Sequence, residues 1–251
     1  MEITFLGVGE ACDCRYPNTS ILLKTDIGRS FLLDCGFTVP HEYFRFCTDP
    51  DELDALWISH FHGDHFLGVP LLLLRFWEMG RMKPLQIIGQ SSVENKIQAA
   101  MDLAYPNFGK KLQYDLEFVN MNSGEYLVVS DLGLRTAETS HSQPCLALRL
   151  DEGEKSLFYS GDGRPTAATL ELAHGCNLVI HEAFKLSQKV PGHGSVRGCL
   201  DFCRRAHVRR LALVHLNRQV RMEETDQIRA MINTVSDLDA FLPEPGDVVK
   251  L

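Results

Sequence analysis

Short hydrophobic runs alternate with longer segments of helical spacing along the whole chain. Period-two alternation and β-branched residues indicate strands, whereas apolar residues three and four apart indicate helices. The pattern predicts strands at residues 2–6, 19–24, 31–35, 55–59, 85–88, 116–119, 126–129, 133–138, 146–150, 156–159, 178–180 and 211–215. It predicts helices near residues 69–79, 93–104, 166–173, 197–206 and 223–234.

Both halves of this pattern show a sheet accompanied by helices. Elements that alternate in this way favour an α/β (α+β) fold in which helices cover sheets. Two sheets packed face to face, with the helices outside, are the simplest layered arrangement. A chain of 251 residues without repeats or linkers is expected to form one domain over residues 1–251.

Composition and charge narrow the class of protein. The eight cysteines are scattered without paired C-x-x-C motifs, which predicts reduced thiols and a cytoplasmic location. The longest apolar run is too short for a membrane span, and the N-terminus shows no secretion signal. A net charge of -8 argues against an extended nucleic-acid surface, although bound metal ions would still allow a phosphate-bearing substrate.

Four candidate metal ligands follow the apolar run 55–59. They are His60, His62, Asp64 and His65, with Gly63 between them. A single buried histidine is usually a packing residue, but three histidines and an aspartate at the end of one strand are difficult to explain by packing. Imidazole and carboxylate ligands suit zinc, with manganese or iron as alternatives.

This motif resembles the His-x-His-x-Asp-His motif of the metallo-β-lactamase superfamily. His141, Asp162 and His215, each after a predicted strand, match the superfamily's remaining ligands. The resemblance implies a four-layer αβ/βα sandwich and two zinc ions. It implies that His60, His62 and His141 hold one ion, that Asp64, His65 and His215 hold the other, and that Asp162 and a hydroxide bridge them.

Several further motifs resemble the ribonuclease Z group of phosphodiesterases. They are Leu33-Asp34-Cys35-Gly36, Gly161-Asp162-Gly163-Arg164-Pro165, Ile180-His181-Glu182-Ala183-Phe184 and Gly192-His193-Gly194-Ser195. Phosphodiester cleavage needs help for the leaving alkoxide. His193, on a loop before a predicted helix, is placed to donate a proton or hydrogen bond, with Glu182 orienting it; a helix-cap or surface histidine is the alternative. The resemblance implies that Asp64 acts as a base toward water and that the protein is a homodimer. For His181 we expect a buried structural role.

The chain departs from that group at several points. Between Gly89 and His141 we find one helix and three short strands, but no Gly/Pro-rich basic arm for tRNA. Glycine stands at position 163 and phenylalanine at 184, where the group's motifs have threonine. We therefore expect a small phosphodiester or a nucleotide or RNA end as substrate.

Two other interpretations stay open. The same metal pair would serve a thioester, lactone or β-lactam hydrolase, which needs no acid directed at phosphate. A non-hydrolytic protein that keeps the fold is the second alternative, against which the intact set of seven predicted ligands argues.

Overall fold

The computed structural model describes residues 1–129 and 131–251, and its contacts divide the chain into two compact units. The first unit comprises Met1–Gly7, Pro17–Met121 and Pro245–Lys250. The second comprises Val8–Tyr16, Asn122–Glu244 and Leu251. Each unit consists of one sheet with its own helices.

The first unit contains a seven-stranded mixed sheet. Its strands are β1 (Glu2–Gly7), β2 (Ser20–Lys24), β3 (Ser30–Leu33), β4 (Ala55–Ile58), β5 (Leu85–Gly89), β6 (Leu116–Asn120) and the C-terminal β14 (Val248–Lys250). The order is β14-β1-β2-β3-β4-β5-β6. The strands from β14 to β3 pair antiparallel, and those from β3 to β6 pair parallel.

The helices of this unit bury one face of the sheet. They are α1 (Val39–Phe46), α2 (Gly63–Phe66), α3 (Val69–Glu78) and α4 (Val93–Ala104), with a 3₁₀ helix at Phe108–Lys111. Leu32, Leu56 and Ile87 of the central strands pack in one apolar cluster with Leu72 of α3 and Ile97 of α4. Side chains of a strand alternate between the two faces, so these positions define the helix-covered face.

The second unit repeats the arrangement with another seven-stranded sheet. Its strands are β7 (Tyr126–Val129), β8 (Leu132–Glu138), β9 (Leu146–Glu152), β10 (Lys155–Tyr159), β11 (Leu178–Glu182), β12 (Arg210–Val214) and β13 (Asp239–Phe241). Its helices are α5 (Ala167–Ala173), α6 (Val196–Arg205), α7 (Arg218–Glu223) and α8 (Thr225–Asn233). Pairing is antiparallel from β7 to β10 and parallel from β10 to β13.

The parallel strands place the candidate site residues at one edge of each sheet. In the first unit, Asp34 follows β3 and His60 follows β4. In the second, Asp162 follows β10, Glu182 ends β11 and His215 follows β12. Carboxyl ends of neighbouring parallel strands lie side by side, which is where α/β sheets carry their binding sites.

All predicted strands and helices are present, with ends shifted by a few residues. The sequence pattern missed α1, α2, α7, β13 and β14. Helix α1 carries Pro40 in its first turn, where a missing N–H costs nothing, although in sequence the proline resembles a helix breaker. Strands β13 and β14 have only three residues each, too few to show alternation.

No helix in the described ranges combines the length and the apolar character needed to cross a bilayer. The expectation of a single domain over residues 1–251 stays a prediction.

The buried carboxylate of Asp54 generates a stability prediction for the first unit. It accepts hydrogen bonds from Arg29 Nη1 at 2.9 Å and Ser30 N at 2.8 Å, and pairs with Lys83 Nζ at 2.8 Å. Burial raises the pKa of Asp54, but these partners outweigh it and hold the pKa below its ordinary value. Such a carboxyl stabilises the fold above its unfolded pKa and loses that contribution as the pH falls through its folded pKa.

We expect Asp54→Asn to lower the free energy of unfolding by about 2 kcal/mol at pH 7. The difference from wild type should narrow below about pH 4, because the wild-type carboxyl then becomes protonated. Urea titrations at pH 7 and below about pH 4 measure the free energy of unfolding of both proteins, and the exposed Asp102→Asn is the control. A difference that does not change with pH would contradict the assignment.

Candidate metal centre

Four predicted ligands of the first unit lie on one short segment after β4. The ring nitrogens His60 Nε2 and His62 Nδ1 are 3.1 Å apart. His65 Nε2 lies 3.4 Å from Asp64 Oδ2. Because α2 starts at Gly63, Asp64 and His65 occupy its first turn, and both are buried. The segment therefore presents nitrogen and oxygen donors close together, as a metal site requires.

Asp34 holds this segment in place. Its Oδ2 accepts from Ser59 Oγ at 2.7 Å and lies 2.8 Å from His65 Nδ1, while its Oδ1 accepts from Ser59 N at 2.7 Å. The residue is fully buried and has a left-handed φ of 61°. A side chain at Gly36 would place its Cβ 2.0 Å from the Asp64 carbonyl oxygen, so this close approach requires glycine.

These hydrogen bonds determine which ring nitrogens carry protons. Asp34 only accepts, so His65 donates through Nδ1 and keeps its lone pair on Nε2. Since Ser59 Oγ donates to Asp34, its oxygen accepts from His60 Nδ1 at 3.0 Å. Both rings thus have the tautomer that an Nε2 metal ligand needs, and such outer partners are typical of metal-binding histidines.

The second unit brings together four more of the predicted site residues. Donor atoms of Asp162, His193 and His215 lie within 4.8 Å of one another. Asp162 Oδ2 is 3.5 Å from His215 Nε2 and 3.9 Å from His141 Nε2. Asp162 and His215 are buried, with 2% and 3% exposure, so this carboxylate and imidazole face each other away from the protein surface.

Two backbone features fix these loops. Ser140 and Arg164 form an antiparallel bridge, which ties the loop of His141 to that of Asp162. Gly163 has a φ of 118°, and its N–H donates to Glu182 Oε1 at 2.9 Å. Threonine at this position would be strained, because a Cβ would lie 2.4 Å from Thr139 Oγ1.

His141 also shows the tautomer of a metal ligand. Its Nδ1 donates to the Gly192 carbonyl oxygen at 2.6 Å, which leaves the lone pair on Nε2, the atom nearest Asp162. The residues present therefore fit a metal cofactor on the chemistry of their donors: imidazoles with fixed tautomers and buried carboxylates.

Glu182 and His193 form a second feature of this unit. Glu182 is completely buried, and its Oε1 lies 3.2 Å from His193 Nδ1. The side chain of His193 is 22% exposed. Burial lowers the pKa of His193, but the hydrogen bond to Glu182 and the charge of Glu182 raise it by more. The pKa of His193 therefore lies above its ordinary value. The contact predicted between these two residues is present.

The remaining candidates have other surroundings. His181 is buried beside Phe158 and Phe202, as expected, and this burial lowers its pKa. Cys12 and Cys14 are exposed, free thiols. Sequence reasoning did not select Asp34 or Phe184 as functional, although both lie in motifs that were noted.

Comparisons with known proteins identify the fold and the class. The ribonuclease Z of Methanosarcina acetivorans is 26% identical over 271 aligned residues, which cover 86% of this chain and 88% of the relative. The metallo-β-lactamase fold protein YhfI of Bacillus subtilis matches with a TM-score of 0.81 and 20% identity over 99% of both chains. The short form of human tRNase Z matches with a TM-score of 0.80 and 19% identity, covering 100% of this chain and 99% of the other.

The predicted metallo-β-lactamase fold is thereby confirmed. The chain is a metal-dependent hydrolase of the metallo-β-lactamase superfamily, similar to ribonuclease Z. A family model named for the anti-Pycsar protein Apyc1 matches residues 1–235. The chain belongs to this Apyc1 family.

The contacts of Asp34 generate a prediction for metal binding. In Asp34→Asn, an amide N–H₂ would replace one accepting oxygen and face either the Ser59 donors or His65 Nδ1. We expect zinc affinity to fall about 10–100-fold, the usual effect of losing such an outer partner. Competition with a chromophoric chelator measures the affinity, and circular dichroism checks the fold. Zinc affinity equal to that of Asp102→Asn would contradict the role of Asp34.

Proposed function

We propose that the protein is a two-zinc phosphodiesterase that acts on small or nucleotide-like diesters or on RNA ends. His60, His62 and His141 would hold one ion, and Asp64, His65 and His215 the other. Asp162 would contribute to both sites, and manganese or iron would be alternatives to zinc. When bound, the metal pair supplies an activated water and positive charge for the phosphoryl oxygens.

The position of His193 is the observation that carries this proposal. Donor atoms of His193, Asp162 and His215 form one close group. The His193 ring is also hydrogen-bonded to the buried Glu182. A metal pair alone would serve ester or lactam hydrolysis. His193 lies beside the candidate ligands, and its protonated form is favoured. Such a histidine suits a reaction in which the leaving alkoxide needs a proton.

The protein's own groups would then divide the proton transfers. Asp64, of which 7% of the side chain is exposed, would accept a proton from the attacking water. His193 would donate a proton from Nε2 to the leaving oxygen, while Nδ1 stays bonded to Glu182. Glu182 would keep the ring oriented and favour its charged form, so it is a positioning residue.

Two features bear on the size of the substrate: the net charge of the protein and the elements that the chain forms between Gly89 and His141. The described residues of this interval form α4, the 3₁₀ helix and strands β6 to β8, with no protruding basic arm among them. A net charge of -8 does not favour long nucleic acids. We therefore propose small diesters and RNA ends rather than whole tRNA.

Two expectations about the cell and the assembly remain part of this proposal. Eight free cysteines support a reducing, cytoplasmic environment. A homodimer is proposed from the resemblance to the ribonuclease Z group, and sedimentation at micromolar concentration tests it.

We expect zinc- or manganese-loaded protein to hydrolyse thymidine p-nitrophenyl phosphate and a short RNA more efficiently than thioesters or lactones. Release of p-nitrophenolate and chromatography of the RNA measure it. Chelator-treated protein provides the blank. Preferred turnover of the acyl substrates would replace the proposal with a thioester or lactone hydrolase, and no turnover with any metal would contradict both.

Asp162→Ala should abolish hydrolysis and lower the metal content, because one carboxylate is proposed to serve both ions. Elemental analysis of protein purified without chelator measures metal per chain, with the exposed Asp102→Ala as control. Two metals per chain in Asp162→Ala would contradict the bridging assignment.

A further inference from the structure

We infer that Phe184 is a positioning residue that fixes the ring plane of His193. The inference rests on the proposed function, since it concerns the histidine assigned there as proton donor. Phe184 stands where the related ribonuclease Z motif has threonine, so its role is not carried over from that resemblance.

The geometry of the aromatic rings supports this role. The Phe184 and His193 rings are stacked, with centroids 4.5 Å apart and planes inclined by 22°. The ring centroid of His215 lies 5.9 Å from that of His193, with the planes inclined by 14°. It lies 6.2 Å from that of Phe184, with the planes inclined by 37°. Such separations are those of attractive aromatic pairs. Phe184 thus makes the nearest ring contact recorded for His193, and it makes that contact face to face.

The hydrogen bond from His193 to Glu182 does not fix the ring by itself. A single bond of 3.2 Å between Nδ1 and Oε1 sets the direction of that nitrogen but allows the plane to turn around it. Stacking against Phe184 restricts this rotation. Together with the edge of the His141 ring, whose centroid lies 5.1 Å from that of His193, the two contacts restrict where Nε2 points, and proton transfer depends steeply on that direction.

The backbone of Phe184 is held on both sides, so its ring has a defined place. The Phe184 N–H donates to Glu182 Oε2 at 3.1 Å, and its carbonyl oxygen accepts from Asn217 N at 3.0 Å. The Lys185 ammonium lies 5.6 Å from the centroid of the Phe184 ring and donates to Asn217 Oδ1 at 3.2 Å. Because the backbone N–H and carbonyl oxygen of Phe184 make the first two of these bonds, a changed side chain at 184 should leave the segment in place.

The test compares leaving groups that differ in their need for a proton. p-Nitrophenolate leaves without protonation, whereas the alkoxide of dithymidine phosphate requires it. We expect Phe184→Leu to lower kcat for dithymidine phosphate about tenfold, with little effect on KM or on thymidine p-nitrophenyl phosphate. Phe184→Tyr should restore activity because it keeps the aromatic plane, and the exposed Phe46→Leu is the matched control.

His193→Ala separates this inference from the proposed function. If it selectively impairs dithymidine phosphate but Phe184→Leu slows both substrates equally, or only raises KM, the inference is overturned and the acid role stands. If His193→Ala affects both substrates equally, the acid role and the inference fail together.

A measurement without turnover checks the stacking itself. In metal-free protein with labelled histidine, the share of the His193 ring-current shift that comes from Phe184 should be lost in Phe184→Leu and persist in Phe184→Tyr. The shares from His141 and His215 should remain in both variants. Unchanged His193 shifts in Phe184→Leu would overturn the inference whatever the kinetics show.

Discussion

The buried carboxylate of Glu182 organises the second unit. Its Oε1 accepts hydrogen bonds from the backbone N–H groups of Gly163 and Gly194 and from the ring of His193. Its Oε2 accepts one from the N–H of Phe184. A charged group without exposure is costly unless such donors surround it. The loop after Asp162, the end of β11 and the loop of His193 must therefore keep their places together.

The first unit uses the same physical principle at Asp34. This carboxylate also follows a parallel strand, is fully buried, and takes its donors from the segment that carries the candidate ligands. In each unit one acidic side chain, not itself an assigned ligand, accepts from a histidine Nδ1: Glu182 from the proposed proton donor His193, and Asp34 from the candidate ligand His65. In the first unit the oriented ring is a candidate ligand, so metal affinity there would depend on residues behind the ligands as much as on the ligands.

Sequence reasoning identified the strands, the main helices and the ligand candidates of residues 60–65, because each leaves a local pattern, whereas His141, Asp162 and His215 were selected by the resemblance to the superfamily. Alternating apolar residues reveal strands, and several ligands in one short segment reveal chemistry. Asp34 has no such pattern, since its partners Ser59 and His65 come from another strand end and only the sheet register brings them near. The stacking of Phe184 on His193 was equally hidden, because a tertiary contact across a loop leaves no periodicity.

The departures from the related motifs become coherent once Glu182 is considered. Gly163 and Phe184 replace threonines in two separate segments, yet both donate a backbone N–H to this one carboxylate. At 163 the backbone conformation excludes a β-branched residue, and at 184 the larger ring reaches His193. The substitutions thus alter the surroundings of the proposed proton donor and leave the candidate ligands unchanged.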